Sequence, residues 1–381
     1  MNFMPINFNR MNRFVALVVL CLLFIQLASA QIFAAPQLTQ QIVVKAEEYM
    51  NAAVRVNRFS GSILVARDGK PLISRGYGMA NLELDVPNKP QTVFRLGSLT
   101  KQFTAMAIMI LQERGKLHTN DPICNYLSDC PAAWQSITIR NLLTHTSGIP
   151  DYTSLPNFVQ TMQLPSTHAN LVDRFKHMPL EFTPGEKFKY TNSGYYLLGM
   201  IIEQTSGKSY ADFLQKNIFA PLSMTHTGYD QPARLIKHRA GGYELQDNSI
   251  INASYIDISI PFAAGALYST TEDLLLWDQA LYTEKLVSRK ILPEIFTPFK
   301  DGYGYGWGIT KQFDRQRIGH DGGINGFSSS IVRFPSDHVT AIVLSNNQNA
   351  PSGEIASSLA AIIFGAPYKM PQERKSEPRP N

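Results

Sequence analysis

The sequence Gly97-Ser98-Leu99-Thr100-Lys101 comes directly before a long apolar run, Phe103 to Leu111, that predicts a buried helix. Ser98 would lie at the N-terminus of this helix, where unpaired backbone N–H groups and the helix dipole favour negative charge. Lys101 follows three residues later, so on a helix the two side chains lie on the same face. The stretch therefore predicts a serine and a lysine side by side at the start of a buried helix.

This serine–lysine pair has two interpretations. A buried amine can lose its proton near neutral pH, because desolvation disfavours its charged form. A neutral Lys101 would then take the proton of the Ser98 hydroxyl and make that oxygen a nucleophile. In the alternative, Ser98 caps the helix and Lys101 is a solvated first-turn residue. The S-x-x-K spacing occurs once in the chain, and chance alone supplies about one match at this length, so the remaining sequence must decide.

The first thirty residues indicate export. Residues 1–30 contain two arginines, an apolar stretch from Phe14 to Ile25 and the small-residue sequence Leu27-Ala28-Ser29-Ala30. This pattern predicts a signal peptide that is cleaved after Ala30, and hence a secreted or periplasmic protein. Because a bilayer is spanned by about 20 apolar residues, an uncleaved membrane anchor is the minor alternative.

Charge and cysteine content agree with export. Removal of residues 1–30 takes away two arginines and no acidic residue, so the formal net charge falls from +5 to +3. The other basic residues are scattered along the sequence, and we expect no nucleic-acid partner. Cys124 and Cys130 lie close together in a loop bounded by prolines. We expect a disulfide between them in an oxidising compartment, with two buried thiols as the alternative.

The chain has 381 residues, of which 44% are hydrophobic, and its patterns place strands near both ends. Apolar spacing predicts a helix over residues 38–56, and Asp68-Gly69 predicts a hairpin turn between two strands. Residues 100–261 are mostly helical in pattern, with long loops. Four strand patterns follow between residues 303 and 345, before a closing helix over 354–364.

This order predicts an α+β fold. The early and late strands would complete one antiparallel sheet, flanked by the terminal helices, with a large mostly helical insert beside it. We expect one catalytic domain over residues 31–366. Its α/β lobe would comprise about 40–99 and 262–366, and its helical lobe about 100–261. The polar, proline-rich residues 367–381 predict a disordered tail.

Two further motifs accompany the serine–lysine pair. Tyr190-Thr191-Asn192 precedes a helical stretch, and His320-Asp321-Gly322-Gly323 ends a predicted strand. Competing matches, Tyr49-Met50-Asn51 and His226-Thr227-Gly228, are better explained as part of the first helix and as a surface turn. His145, between two threonines, is predicted to be a hydrogen-bonded structural histidine. No paired-histidine or Gly-rich phosphate motif is present, and we expect no metal and no cofactor.

The three motifs resemble those of the serine β-lactamase and penicillin-binding protein superfamily. The similarity is greatest to the branch of class C β-lactamases, DD-carboxypeptidases, D-aminopeptidases and related esterases, and it implies a DD-peptidase/β-lactamase-like fold. It spans about residues 60–350 and includes these further stretches, in the family's order: Phe94 to Ser98, Leu142 to Gly148, Thr183-Pro184-Gly185, Ala264 to Thr270, Tyr303 to Ile309 and Gly319 to Phe327.

The resemblance implies acyl transfer with Ser98 as nucleophile, and with Lys101 and Tyr190 sharing the acid and base work. Which of the two takes the first proton is open. Either would need a lowered pKa, from burial for Lys101 and from a nearby cation for Tyr190. The backbone N–H groups of Ser98 and Gly323 would form the oxyanion hole. Substrate would contact Asn192, through its amide, and His320 and Gly322 on the opposite wall.

One residue departs from the family pattern. Many β-lactamases and penicillin-binding proteins have lysine where this chain has His320, and a permanent charge helps to bind a substrate carboxylate. We therefore expect an exported serine hydrolase for D-amino-acid peptides or small esters, of the DD-carboxypeptidase, D-aminopeptidase or esterase type. The alternatives are a class C-like β-lactamase and a penicillin-binding sensor without turnover. The expected partner is a small-molecule or peptide substrate: a cell-wall peptide, an ester or a β-lactam. The sequence does not indicate an oligomeric state.

Overall fold

The computed structural model describes residues 40–247 and 249–372. The predicted signal peptide, residues 1–30, and most of the predicted tail, residues 373–381, lie outside the described residues. The chain divides into two compact units, residues 1–48 and 49–381. In the first unit, residues 40–48 are helical. The domain limits expected from the sequence stay a prediction.

The strands in the described residues occur early and late in the chain, with a few short ones between. In chain order they are β1 (Gly61–Arg67), β2 (Lys70–Tyr77), β3 (Met79–Asn81), β4 (Val86–Pro87), β5 (Phe94–Arg95), β6 (Gly228–Tyr229), β7 (Tyr243–Gln246), β8 (Ser249–Asn252), β9 (Leu267–Ser269), β10 (Gly308–Gln312), β11 (Arg315–Ile324), β12 (Phe327–Phe334) and β13 (Val339–Ser345).

The helices in the described residues are concentrated between the two groups of strands. In chain order they are α1 (40–55), α2 (Thr100–Glu113), α3 (Ile139–Leu143), α4 (Phe158–Thr161), α5 (His168–Lys176), α6 (Asn192–Ser206), α7 (Tyr210–Leu214), α8 (Phe262–Gly265), α9 (Thr271–Ala280), α10 (Leu292–Ile295) and α11 (Ser352–Phe364). A 3-10 turn, Gly97–Leu99, leads into α2, and a second one spans Tyr152–Ser154.

Six strands form the main antiparallel sheet, in the order β10-β11-β12-β13-β1-β2. β1 pairs with β13 along its whole length, from Gly61 opposite Ser345 to Arg67 opposite Val339. Both strands are almost completely buried, so both faces of the sheet must be covered. Helix α9 contacts both strands, and α11 contacts β13. The predicted α+β class, with early and late strands in one antiparallel sheet, is confirmed.

The predicted turn between β1 and β2 is also present. Asp68 and Gly69 have φ values of 51° and 71°, the pair of positive angles that a tight two-residue hairpin turn requires. In contrast, only the end of the predicted Tyr303–Ile309 strand is extended, because the Gly304 N–H donates to the Trp307 carbonyl and Gly306 has a φ of 77°. The β7–β8 hairpin also interrupts the region predicted to be helical.

Helix α2 is the central element of the helical half. Twelve of its 14 residues, from Thr100 to Leu111, are buried, because it packs against α6 and α8. This burial carries the side chain of Lys101 into the interior. In the same half, Cys124 and Cys130 form the expected disulfide.

None of the helices within 40–247 and 249–372 combines the length and the hydropathy that crossing a bilayer requires. In the same ranges, no group of His, Cys, Asp and Glu side chains is arranged to hold a metal ion.

Candidate active site

Ser98 lies in the 3-10 turn before α2, and the backbone of β11 lies against this turn. A Cβ atom at Gly97, where φ is 53°, would come within 2.7 Å of the Gly323 carbonyl oxygen. A Cβ atom at Gly322 would come within 2.1 Å of the Leu96 carbonyl oxygen. Glycine at these positions therefore permits a backbone-to-backbone approach that brings residues 322 and 323 next to Ser98.

Lys101 is completely buried, and its Nζ lies within hydrogen-bond distance of three oxygens. Its Nζ lies 3.1 Å from Ser98 Oγ, 2.8 Å from Asn192 Oδ1 and 2.9 Å from the Ala264 carbonyl oxygen. Burial lowers the pKa of Lys101 to about 7, and the negative charge of Asp151 partly opposes that shift. The amide and backbone oxygens can only accept, so a neutral amine donates to both and directs its lone pair at the Ser98 hydroxyl.

Tyr190 faces the same serine. Its phenol shares a hydrogen bond with the Ser98 side chain, and its ring centroid lies 4.8 Å from Lys101 Nζ. Burial raises the pKa of Tyr190 despite that hydrogen bond, and the charge of Asp151 raises it further. The lowered pKa that Tyr190 would need in order to act as the first base is therefore not found in this state of the site. The two opposite shifts favour Lys101 as the first base and Tyr190 as a proton donor.

Asn192 is the first residue of α6 and links Lys101 to Asp151. Its Nδ2 donates to Asp151 Oδ2 at 3.3 Å and to Thr153 Oγ1 at 3.2 Å, and its backbone N–H donates to Asp151 Oδ1 at 3.1 Å. The predicted contact of Asn192 with a substrate amide would have to replace one of these bonds, and it stays a prediction. Sequence reasoning missed Asp151, although Asp-x-Thr after a proline is typical of a side-chain-stabilised turn.

His320 lies on the opposite wall, with its ring 6.1 Å from that of Tyr190. Its Nδ1 is 2.6 Å from the Asp321 carbonyl oxygen, an obligate acceptor, so Nδ1 carries the hydrogen. Nε2 then accepts from the Tyr303 hydroxyl at 2.8 Å. Burial and the charge of Lys101 lower the pKa of His320 to about 4. His320 is therefore neutral near pH 7, as expected for a residue that replaces a permanent charge.

His145 packs against the rings of Tyr190 and Tyr303. It is buried, with its ring 4.3 Å from that of Tyr190 and 4.7 Å from that of Tyr303. Its Nδ1 accepts from the backbone N–H of Thr191 at 3.2 Å. This environment fits the predicted structural role, because the histidine fixes the chain between Tyr190 and Asn192.

The competing motif matches lie elsewhere. Tyr49 is buried in α1 with 1% of its surface exposed, and its ring packs edge-on against Tyr368. His226 is half exposed and lies 3.9 Å from Asp273. Neither residue contacts the serine, so only the Tyr190 and His320 motifs share the site of Ser98.

An open cavity of about 330 Å³ adjoins Tyr190 and His320. β10 pairs with β11 only as far as Gly308 opposite Gly319, so among the described strands nothing covers that edge of β11 beyond Gly319. A Cβ atom at Gly323 would meet no other atom within 4 Å. Sequence reasoning missed Arg317, which also lines this cavity. The cavity therefore provides space for a substrate beside Tyr190 and His320, and the roles of the predicted oxyanion donors, Ser98 and Gly323, stay predictions.

Comparison with known proteins agrees with this geometry. The family profile described as Beta-lactamase matches residues 45–363. The chain is 35% identical to penicillin-binding protein 4* of Bacillus subtilis (strain 168) over 344 residues, which cover 83% of this chain and 75% of that protein.

Two solved structures are similar in fold. The octameric penicillin-binding protein homologue from Pyrococcus abyssi has a TM-score of 0.77 and 29% identity, covering 85% of this chain and 78% of that one. D-amino acid amidase from Ochrobactrum anthropi SV3, complexed with L-phenylalanine amide, has a TM-score of 0.76 and 25% identity, covering 85% and 99%. The fold, the converging motifs and these matches lead to one conclusion: the chain belongs to the Beta-lactamase family, within the superfamily of serine β-lactamases and penicillin-binding proteins.

Proposed function

We propose that the protein is an exported serine hydrolase that cleaves D-amino-acid peptides or small esters through an acyl-enzyme. The observation that carries this proposal is the hydrogen bond of 3.1 Å between the buried amine of Lys101 and Ser98 Oγ. A buried amine with a pKa of about 7 can accept the serine proton at neutral pH. A solvated first-turn lysine, the alternative interpretation of the motif, would lack both properties.

The proposed reaction begins when Ser98 Oγ attacks the substrate carbonyl carbon and its proton passes to Lys101. Backbone N–H groups of Ser98 and Gly323 would hold the resulting oxyanion. Tyr190 donates its phenolic proton to the leaving amine or alcohol and is reprotonated from Lys101, which completes the acyl-enzyme. Water then attacks the ester carbon, the same pair removes its proton, and Ser98 leaves with a proton restored.

Two observations support the substrate class. His320 is neutral near pH 7 and its Nε2 is engaged by Tyr303, so this position offers no permanent charge to a β-lactam carboxylate. The similar solved structure of a D-amino acid amidase, and the penicillin-binding relatives, favour D-amino-acid amides and peptides. Export is supported by the signal-like residues 1–30 and by the Cys124–Cys130 disulfide, which suits an oxidising compartment.

The test is intact-mass analysis after mixing the protein with a penicillin, an activated ester and a D-alanyl peptide. We expect the wild type to gain one acyl group and to turn over the ester or the peptide, and Ser98→Ala to gain none. Ser74→Ala is the matched control, because the buried Ser74 hydroxyl has no partner among the described residues. Ser74→Ala should label like the wild type.

Three outcomes would change the assignment. A stable penicillin adduct without turnover of any substrate would indicate the sensor. Sustained cephalosporin hydrolysis that exceeds peptide and ester turnover would indicate a class C-like β-lactamase. A wild type that no serine-directed reagent labels would overturn the proposed function.

A further inference from the structure

Asp151 makes four hydrogen bonds at the start of the turn Tyr152–Ser154, and two of them reach helix α6. Within its own turn, its carboxylate accepts from the Thr153 backbone N–H at 3.3 Å and from the Thr153 hydroxyl at 2.7 Å. From α6 it accepts the backbone N–H of Asn192 at 3.1 Å and the side-chain Nδ2 at 3.3 Å. These contacts join two chain segments about forty residues apart, directly behind Lys101.

The contacts determine which end of the Asn192 amide faces Lys101. A primary amide has one end that donates and one that accepts, and the two ends have almost the same shape. The carboxylate of Asp151 can only accept. The Thr153 hydroxyl donates its hydrogen to Asp151, so its oxygen can only accept a hydrogen bond from Asn192. Only the NH₂ end of Asn192 fits this surface, which leaves Oδ1 directed at Lys101.

The orientation of this amide affects the nucleophile. With Oδ1 of Asn192 and the Ala264 carbonyl both accepting, a neutral Lys101 has its two hydrogens engaged and its lone pair free for Ser98. If the amide were reversed, its NH₂ group would compete with the serine hydroxyl for that lone pair. The proton acceptor for Ser98 therefore depends on a carboxylate that touches neither residue.

We propose that Asp151 is a positioning residue, which holds the Asn192 amide in the one orientation that leaves the Lys101 lone pair facing Ser98. The catalytic consequence of this proposal rests on the proposed serine hydrolase function. The positioning itself is a property of the folded protein and can be measured without turnover.

Removing the charge of Asp151 should also change the pKa of Lys101 in a defined direction. Lys101 is faced by the tyrosine rings of Tyr190 and Tyr195, by the imidazoles of His145 and His320, and by the Asp151 carboxylate beyond Asn192. Of these groups, the carboxylate raises the pKa of Lys101. Asp151→Asn should therefore lower the pKa of Lys101, while its new NH₂ group removes the preference for one amide orientation.

Asp257→Asn is a matched control. Asp257 forms the same kind of turn, in which one carboxylate oxygen accepts from the Ser259 backbone N–H at 3.0 Å and from the Ser259 hydroxyl at 2.7 Å. It is nearly buried and makes no hydrogen bond to Asn192 or Lys101. Comparison of Asp257→Asn with Asp151→Asn thus separates the effect of losing a turn carboxylate from the effect of losing the contact to Asn192.

The first measurement is the pH titration of the Lys101 Cε resonance in protein labelled with ¹³C-lysine, assigned by its absence in Lys101→Met. We expect a midpoint near 7 in the wild type and in Asp257→Asn, and a lower midpoint in Asp151→Asn. The second is the pH profile of acylation by an activated ester. Its acid limb should move to lower pH in Asp151→Asn, while its plateau falls by about a hundredfold because the lone pair is misdirected.

Thr153 provides a second pair of variants that does not depend on the folding of Asp151→Asn. Thr153→Val removes the lone pair that accepts from Asn192 and should lower the acylation plateau, whereas Thr153→Ser keeps the hydroxyl and should restore it. An unchanged Lys101 midpoint in Asp151→Asn, or equal effects of Asp257→Asn, would overturn the proposal. If the wild type neither acylates nor turns over any substrate, the proposed function fails. The Lys101 titration in Thr153→Val, which keeps the Asp151 charge but loses a contact that orients the Asn192 amide, then still tests the positioning.

Discussion

The backbones of Gly97 and Gly323 are in direct contact, with the Gly323 nitrogen only 2.8 Å from where a Cβ atom on residue 97 would lie. This contact aligns the turn that carries Ser98 with the strand that carries the second predicted oxyanion donor. Two segments more than two hundred residues apart in sequence therefore have to fit each other without any side chain between them.

Gly97→Ala should misalign the two oxyanion donors. The new Cβ atom would overlap the Gly323 backbone, and loss of one such donor typically costs about 10²- to 10³-fold in rate. Gly115→Ala is the control, because Gly115 has a similar φ of 65° and open space around it. The measurement is kcat/KM for an activated ester, with Tm for both variants. Equal kcat/KM values in the two variants would contradict the alignment role.

Lys101→Met should change how stability depends on pH. The folded-state pKa of Lys101 is about 7, and an unfolded lysine titrates near 10.4. Between these values the unfolded chain binds more protons, so the wild type gains stability as pH rises, by at most about 1.4 kcal/mol per pH unit. The free energy of unfolding of the wild type, relative to Lys101→Met, should therefore increase between pH 7 and 9. The measurement is urea unfolding of both proteins across this pH range, and a difference that does not change with pH would contradict the lowered pKa of Lys101.

His320→Lys should shift selectivity toward anionic substrates. A lysine ammonium on this wall supplies a charge-assisted hydrogen bond that a neutral imidazole cannot, which is worth about tenfold in acylation. The measurement is the ratio of acylation rates for a penicillin, which has a carboxylate, and a neutral activated ester. His320→Gln keeps the wall neutral and should leave this ratio near the wild-type value. A ratio that does not rise in His320→Lys would show that position 320 does not face the substrate anion.

Breaking the ion pair between Arg333 on β12 and Asp278 on α9 should cost more stability than removing both of its charges. Arg333 Nε lies 2.7 Å from Asp278 Oδ1, and the two side chains are only 2% and 0% exposed. Asp278→Ala leaves a buried guanidinium without its partner and should lower the free energy of unfolding by about 3–5 kcal/mol. Arg333→Met combined with Asp278→Leu removes both charges and should recover most of this loss in urea unfolding. A double variant no more stable than Asp278→Ala would contradict this explanation.

The sequence predicted those parts of the site that are encoded locally. Ser98 and Lys101 are one helical turn apart, so spacing and the apolar run that follows were enough to place them together. Tyr190 and His320 required the family resemblance, because nothing in their immediate sequence indicates that they meet. The hairpin at Asp68-Gly69 was predictable because those two residues tolerate the backbone angles that the turn needs.

The contacts that the sequence did not predict depend on distant partners. Asp151 acts through Asn192, and its own segment encodes only a turn. Tyr303 and Tyr305 alternate with glycines as in a strand, but a positive φ at Gly306 and a local hydrogen bond turn the chain instead. The pKa of Tyr190 is raised by burial among side chains of several elements. The direction of this shift therefore could not be predicted from the sequence around Tyr190.

The pairing of β1 with β13 has a consequence for how the protein is made. β1 ends at Arg67, but its neighbour β13 begins only at Val339, more than 250 residues later. A ribosome therefore releases most of the chain before the sheet can close, and such non-local pairing is slow. Because β11 joins the same late sheet, the nascent polypeptide holds Ser98 without the strand that completes its pocket. We therefore expect the pocket beside Ser98 to form only after most of the chain has been made.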